Sequence, residues 1–284
     1  MGFLQHLRRC NRHDLSGFIP FRVEGAVVGR VRPAFAEYLT AWPEVFAVMP
    51  EGVELVVEHS GVEERSAAVA EVLNALVEQG VLPPLHGELY GATAHSRSDA
   101  VLLIDRAAAP CFGIRAFGQH LNGYVRKDNR CHMWIGRRAS DRMIYPGKLD
   151  HLVAGGLPHN ISLAGNLAKE CWEEAAIPPE LVSQAIPVGT VSYVAESERG
   201  LKPDTLYCYD LELPADFQPR CTDGEVEEFY LWPVEQVMEL VRETEEFKQN
   251  CNLVIIDFLI RHGFIGPEHD DYLELVTGLH PPLP

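Results

Sequence analysis

Apolar positions along the chain follow two regimes. Up to about residue 115, helical and extended periods alternate. Residues 3–10 place apolar side chains at helical spacing. Apolar runs at 18–23 and 26–31 are split by Glu24-Gly25, the pattern of a hairpin. Pro33 suits the first turn of a helix over 33–41. Residues 53–57 and 100–104 read as strands. Between them, Ala67, Val69, Val72, Leu73 and Leu76 predict a helix over 63–79 that stops at Gly80. The texture changes near 113–118, and strands then dominate, at 121–125, 131–135, 152–154, 188–194, 206–213 and 226–231. Helices are expected at 163–175, 234–244 and 253–261. Strands outnumbering dispersed helices predict an α/β (α+β) fold, a mixed sheet between helical layers. The domains read as 1–115, a smaller mixed α/β unit, and 116–284, which holds the chemistry.

Composition narrows the classes. The chain has 284 residues and a net charge of 24 − 41 = −17. That balance disfavours a nucleic-acid or anionic-membrane partner. No apolar run approaches the ~18 residues a membrane helix needs, and the first residues lack the apolar centre of a signal peptide. Seven cysteines, an odd number without a CxxC pair, suggest reduced thiols and a cytoplasmic location. His6, His13, His59, His86 and His95 are scattered rather than paired at ligand spacing. The phosphate-loop, dinucleotide, zincin and serine-hydrolase signatures are absent.

The positive signal is narrow. Within KECWEEAAI, Glu170, Glu173 and Glu174 fall at i, i+3 and i+4 of the expected helix, so their carboxylates share a face. Like charges at that spacing repel by about 0.2–0.5 kcal/mol per pair, and a hard divalent cation reverses the sign. Leu163, Leu167, Ala168, Cys171 and Ala175 form an apolar stripe that pins the helix. Gly155 and Gly156, after the apolar run 151–154, read as a strand entering a tight turn. A second acidic cluster spans 223–228, where alternation points Glu225 and Glu227 to one face.

The segment GGLPHNISLAGNLAKECWEEAAI resembles the Nudix box, a strand–loop–helix module that binds divalent metal and pyrophosphate. Glu170, Glu173 and Glu174 match its core glutamates, Lys169 stands for its arginine and Ala176 for its late glycine. Twelve residues separate Gly156 from Lys169, one fewer than the pattern, and none of them is acidic. The early loop glutamate, whose role in the family is largely structural, is therefore missing, and Gly165 stands where branch relatives tend to carry glutamate. FGIRAFGQHLNGYVRK, YPGKLDHLVAGGLPH and CNLVIIDFLIRHG extend the resemblance to a two-domain Nudix branch whose N-terminal domain has no assigned function. The resemblance implies a Nudix α/β/α sandwich and Mg²⁺, with Mn²⁺ as a substitute. It also implies hydrolysis of a small-molecule diphosphate: thiamine diphosphate or its oxidised analogues, to the monophosphate plus phosphate. The metal ligands implied are Glu170, Glu173 and Glu174. Glu173 and Glu225 take the catalytic roles, Glu225 as extra ligand or base with Glu227 in reserve. Lys169 steadies the helix. Arg138 and Lys202 are phosphate-contact candidates, and Tyr124, Tyr193 and Trp232 are stacking candidates. The alternative is a non-catalytic Nudix-fold protein that binds or senses a nucleotide or thiamine compound. The first domain is left to cover the pocket or to form a homodimer interface.

Overall fold

The computed structural model describes residues 2–57 and 61–284; His59 lies outside them. Helix α1 (Phe3–Cys10) is followed by the hairpin β1 (Ile19–Val23) and β2 (Ala26–Val31). Glu24 and Gly25 form its two-residue turn with φ of 52° and 77°, the left-handed pair that matches strand twist. Helix α2 (Pro33–Leu39), β3 (Phe46–Met49), β4 (Gly52–Leu55) and α3 (Val62–Glu78) come next. A four-stranded sheet forms in the order β2-β1-β4-β3. The short hairpin β5 (Leu89–Ala92) and β6 (Leu102–Asp105) and helix α4 (Ala109–Phe112) complete this unit. Its core gathers Phe21, Phe46, Phe112, Leu73 and Ile104.

The second unit is built on strands β7 (Ala116–Lys127), β8 (Arg130–Arg138), β9 (Leu149–His151) and β10 (Val153–Gly156). Helices α5 (Leu163–Ala175) and α6 (Pro179–Val182) follow, then strands β11 (Ile186–Ser197), β12 (Gly200–Glu212) and β13 (Val226–Pro233). Helices α7 (Val234–Glu243), α8 (Cys251–Arg261) and α9 (Tyr272–Gly278) end the chain. The sheet is mixed, ordered β11-β12-β7-β8-β13, with β10 on β7 and β9 on β8. Only the β12–β7 pair in it is parallel. One face packs Leu121, Leu152, Leu167, Cys171 and Leu211 beneath α5 and α6. The other packs Met133, Ile135, Val191 and Leu206 beneath α7, α8 and α9. The expected α/β/α sandwich is present. Helix α1 joins that second core through Phe3, Leu4, Leu7 and Cys10, so the chain's first element packs on its last ones. Among the described residues no helix is long and apolar enough to cross a membrane.

Helix α5 ends at Ala176 in the left-handed region, φ 49° and ψ 38°. A Cβ there costs about 1–2 kcal/mol, and this is the position of the box's late glycine. Ala176→Gly is expected to raise stability by about 1 kcal/mol, a gain of about 2–4 °C at this chain size. Thermal unfolding checks it, and an unchanged or lower midpoint would refute the strain.

Candidate metal and catalytic site

The Ser162 hydroxyl starts α5 by accepting from the Gly165 amide at 3.1 Å, the usual N-cap bond. Side-chain amides fasten the first turn to the sheet. Gln119 donates to the Leu163 carbonyl at 3.0 Å, and Asn166 donates to Gln119 at 2.8 Å and to the Gly156 carbonyl at 3.0 Å. The helix is thus fixed in rotation by buried polar contacts and by the stripe Leu167, Cys171 and Ala175. Glu174 follows Leu167 by two turns and falls on the buried side, with 6% exposure. The side chains of Glu170 and Glu173 lie at the flank, 15% and 36% exposed. The three acids therefore grade from buried to half-open rather than sharing one exposed face.

That grading sets their electrostatics. The Glu174 carboxylate accepts from the Ala154 amide at 2.9 Å. Burial, with added charge from Asp150 and Glu170, still pushes its pKa up to about 8. Burial also raises Glu170, with Glu173 and Glu225 adding to it and Lys169 opposing. Carboxylates collected where water is scarce are costly unless a cation meets them. The donor set is all hard oxygen with open flanks, which fits a divalent ion such as Mg²⁺.

The glycine pair works differently from the expected turn. Gly155 and Gly156 lie within β10, paired with Gln119 and Gly118 of β7, and neither has a positive φ. A Cβ on Gly155 would stand 2.5 Å from the Glu170 carboxyl carbon, and one on Gly156 would collide with the Tyr90 hydroxyl. The requirement is close approach, not a left-handed bend.

Lys169 bridges Glu170 at 3.1 Å and Glu173 at 2.8 Å. The chain from Arg220 to Glu225 folds over the end of α5. The Thr222 amide donates to the Glu173 carbonyl at 2.8 Å, and the Arg220 amide to the Ala175 carbonyl at 3.1 Å. This carries Glu225 within electrostatic range of Glu170. Its carboxylate is held by Arg142 at 2.7 Å, a residue the local sequence pattern did not mark. A bulge between Val226 and Glu228 breaks the expected alternation, leaving Glu225 half-buried and Glu227 exposed.

Two phosphate-contact candidates are placed elsewhere. Arg138 is committed to Asp150 at 3.0 Å and to the Ile144 carbonyl. Lys202 pairs at 3.6 Å with Asp204, whose other bond comes from the Tyr193 hydroxyl. Tyr193 belongs to the core beneath α7–α9, so Lys202 sits on the sheet face opposite α5. Tyr124 and Tyr193 are buried core residues, and Trp232 stacks on Tyr230 with centroids 4.6 Å apart.

A second donor set lies in the interior. His120, Asp150, His151 and Cys251 are buried, with candidate ligand atoms within 4.8 Å of one another. Its present contacts form a hydrogen-bonded network. The two imidazole Nδ1 atoms meet at 2.9 Å, and the Cys251 thiol donates to Asp150 at 2.6 Å. Asp150 is already neutralised by Lys248 at 3.1 Å and Arg138 at 3.0 Å. A divalent ion there would face both cations, at about 4 kcal/mol per unit-charge pair 4 Å apart near an effective dielectric of 20. At the glutamate helix Lys248 bears on Glu174 from a distance, and the Lys169 ammonium between Glu170 and Glu173 is half exposed.

A domain of unknown function, DUF4743, matches residues 2–116. Nudix hydrolase 20, chloroplastic, of Arabidopsis thaliana is 46% identical over 98% of this chain and 77% of its own length. Nudix hydrolase 24, chloroplastic, of the same plant is 48% identical over the same shares. The uncharacterized protein YJR142W of Saccharomyces cerevisiae is 38% identical over 64% of this chain and 58% of its own. A MutT protein crystal structure from Methanosarcina mazei Go1 gives a TM-score of 0.39 at 17% identity, covering 54% of this chain and 96% of that one. The cytoplasmic expectation is overturned by the two plant relatives, both named chloroplastic. Free thiols call for a reducing compartment, and the cytoplasm is only one such compartment. With relatives 46% and 48% identical over 98% of it, the chain belongs to the Nudix hydrolases, pyrophosphohydrolases that act on small molecules with a divalent metal.

Proposed function

We propose that the chain hydrolyses the terminal phosphate of a small organic diphosphate with Mg²⁺, for which Mn²⁺ can substitute. Glu170, Glu173 and Glu174 would hold the metal. Bound there, it supplies neutralisation of phosphate charge and a lowered pKa for the attacking water. Glu225, fixed by Arg142 and close in charge to Glu170, serves as additional ligand or general base. Lys169 balances Glu170 and Glu173 when no cation is present and keeps their side chains in place. The observation that carries this reading is the buried Glu174, aimed at the β10 backbone and costly unless a cation meets it. The organic part of the substrate rests on the branch resemblance, which points to thiamine diphosphate or its oxidised analogues.

The test is a phosphate-release screen of the full chain with Mg²⁺ and with Mn²⁺. The panel is thiamine diphosphate, its oxidised analogues, ADP-ribose, NADH, CoA and nucleoside triphosphates. Metal-dependent release is expected from the thiamine compounds. Activity confined to other diphosphates would remove that substrate class and keep the chemistry; silence across the panel would favour a binding or sensing role.

A further inference from the structure

The loop between β10 and α5 enters the glutamate helix, yet it contains no acidic residue from Gly156 to Ala168. Its brace comes from outside the second domain. Arg97, in a 3₁₀ turn at Arg97–Asp99, sends one guanidinium nitrogen, Nη2, to three loop carbonyls. These are Pro158, His159 at 3.0 Å, and Ile161. Two N–H groups are thus shared among three acceptors, which fixes the loop's curvature as well as its position. The His159 amide donates to the Leu89 carbonyl of β5 at 2.8 Å, so one loop residue is held on both its donor and its acceptor side. The Tyr90 hydroxyl closes over Gly156.

The bracing side is itself organised. The Thr93 hydroxyl donates to the Ser96 carbonyl at 2.8 Å, and Ser96 donates to Asp99 at 2.6 Å. The first domain is docked on the second at further points. Arg32 binds Glu196 at 2.6 Å and the Ser197 carbonyl at 2.9 Å. Gly200 lies directly against the Pro110 backbone. Leu89, Tyr90 and Arg97 all fall inside the stretch matched by the domain of unknown function.

We infer that this N-terminal domain serves as the structural brace of the metal loop, with Arg97 as its positioning residue. Arg97 acts through the loop, with its Nη2 donated to backbone carbonyls. It fixes residues 158–161, which lead into the Ser162 cap of α5 and so, with Gln119 and Asn166, help to hold Glu170, Glu173 and Glu174 in place. The inference rests on the proposed metal role of α5, and its test separates the two.

Full-length wild type, Arg97→Ala and Arg97→Lys are compared by amide hydrogen exchange and by Mn²⁺ titration followed by electron paramagnetic resonance. In Arg97→Ala, exchange is expected to rise at least about tenfold over residues 156–163 and to stay unchanged in α8. Mn²⁺ affinity is expected to fall about 10–100-fold, the range for residues that support metal ligands without touching the metal. Millimolar guanidinium should restore much of that affinity, a rescue that a general loss of stability would not show. Arg97→Lys keeps the charge without the planar fork and should fall between the two, and it stands in if Arg97→Ala does not fold. Unchanged loop exchange would overturn the inference, as would exchange rising equally in α8. If wild type itself fails to bind Mn²⁺, the metal reading falls while the exchange result still decides the brace.

Discussion

Glu174→Gln is expected to abolish metal-dependent phosphate release, a loss of at least about a hundredfold, while the fold remains intact. Glutamine keeps the volume and an oxygen that can accept from the Ala154 amide, so the helix is not released from the strand. What it removes is the charge. Glu174 is 6% exposed, and burial pushes its pKa up to about 8. Without a cation, the folded protein must therefore either bury a charge or take up a proton there. Removing that demand should leave the stability of the metal-free protein unchanged or raise it. Falling activity with steady or rising stability is the pattern of a group retained for chemistry rather than for folding. Steady-state kinetics with Mg²⁺ and denaturant unfolding in chelator measure the two arms. Wild-type turnover in the variant would falsify the ligand assignment. A clear loss of stability would show that the carboxylate is needed by the fold.

Local periodicity made the helix legible. The stripe Leu167, Cys171 and Ala175 and the stop after Ala175 are properties of a few adjacent turns, and α5 spans the expected 163–175. Other features depended on partners remote in sequence. Arg138 looked free because Asp150 returns on β9, and Lys202 because Asp204 and Tyr193 claim the opposite sheet face. Arg97 carried no local signal, since the carbonyls it holds lie 61–64 positions away. The glycine pair is ambiguous for a different reason. Glycine marks both a left-handed turn and a place where another group must come close, and only the arrival of Glu170 and Tyr90 separates these. The bulge in β13 likewise has no local sign strong enough to override alternation. The acidic triplet was readable as chemistry, but its gradient of burial came from how α5 is rotated by Gln119 and Asn166.

Asp150→Asn is expected to destabilise the second domain by about 3–5 kcal/mol, the cost of leaving buried cations without their counter-ion. At this size that corresponds to about 6–20 °C in the unfolding midpoint. Asp150 gathers Lys248 and Arg138 on one oxygen and the Cys251 thiol and the His151 amide on the other. The side chains of Lys248 and Arg138 are only 17% and 12% exposed, so water cannot replace the lost charge. Burial alone would raise the Asp150 carboxyl; the Lys248 ammonium overrides it and holds the group well below its usual range. A depressed carboxyl stabilises the fold in full above its unfolded pKa, about 3.9, and loses that contribution as pH falls below it. His151 titrates alongside: burial lowers it to about 4 from 6.5, with the Asp150 carboxylate opposing. The unfolded state thus takes up a proton first, and both proteins weaken between those values. The gap between wild type and Asp150→Asn should therefore persist from pH 8 to about 5 and narrow progressively as pH falls from about 4 toward the depressed range of the folded carboxyl. Adding Lys248→Met to Asp150→Asn should recover part of the loss, because it removes one stranded charge. Denaturant unfolding across this pH range measures all three proteins. A gap below about 1 kcal/mol at pH 7, or one that does not narrow at all below about pH 4, would show that Asp150 does not hold this network together as an ionised group.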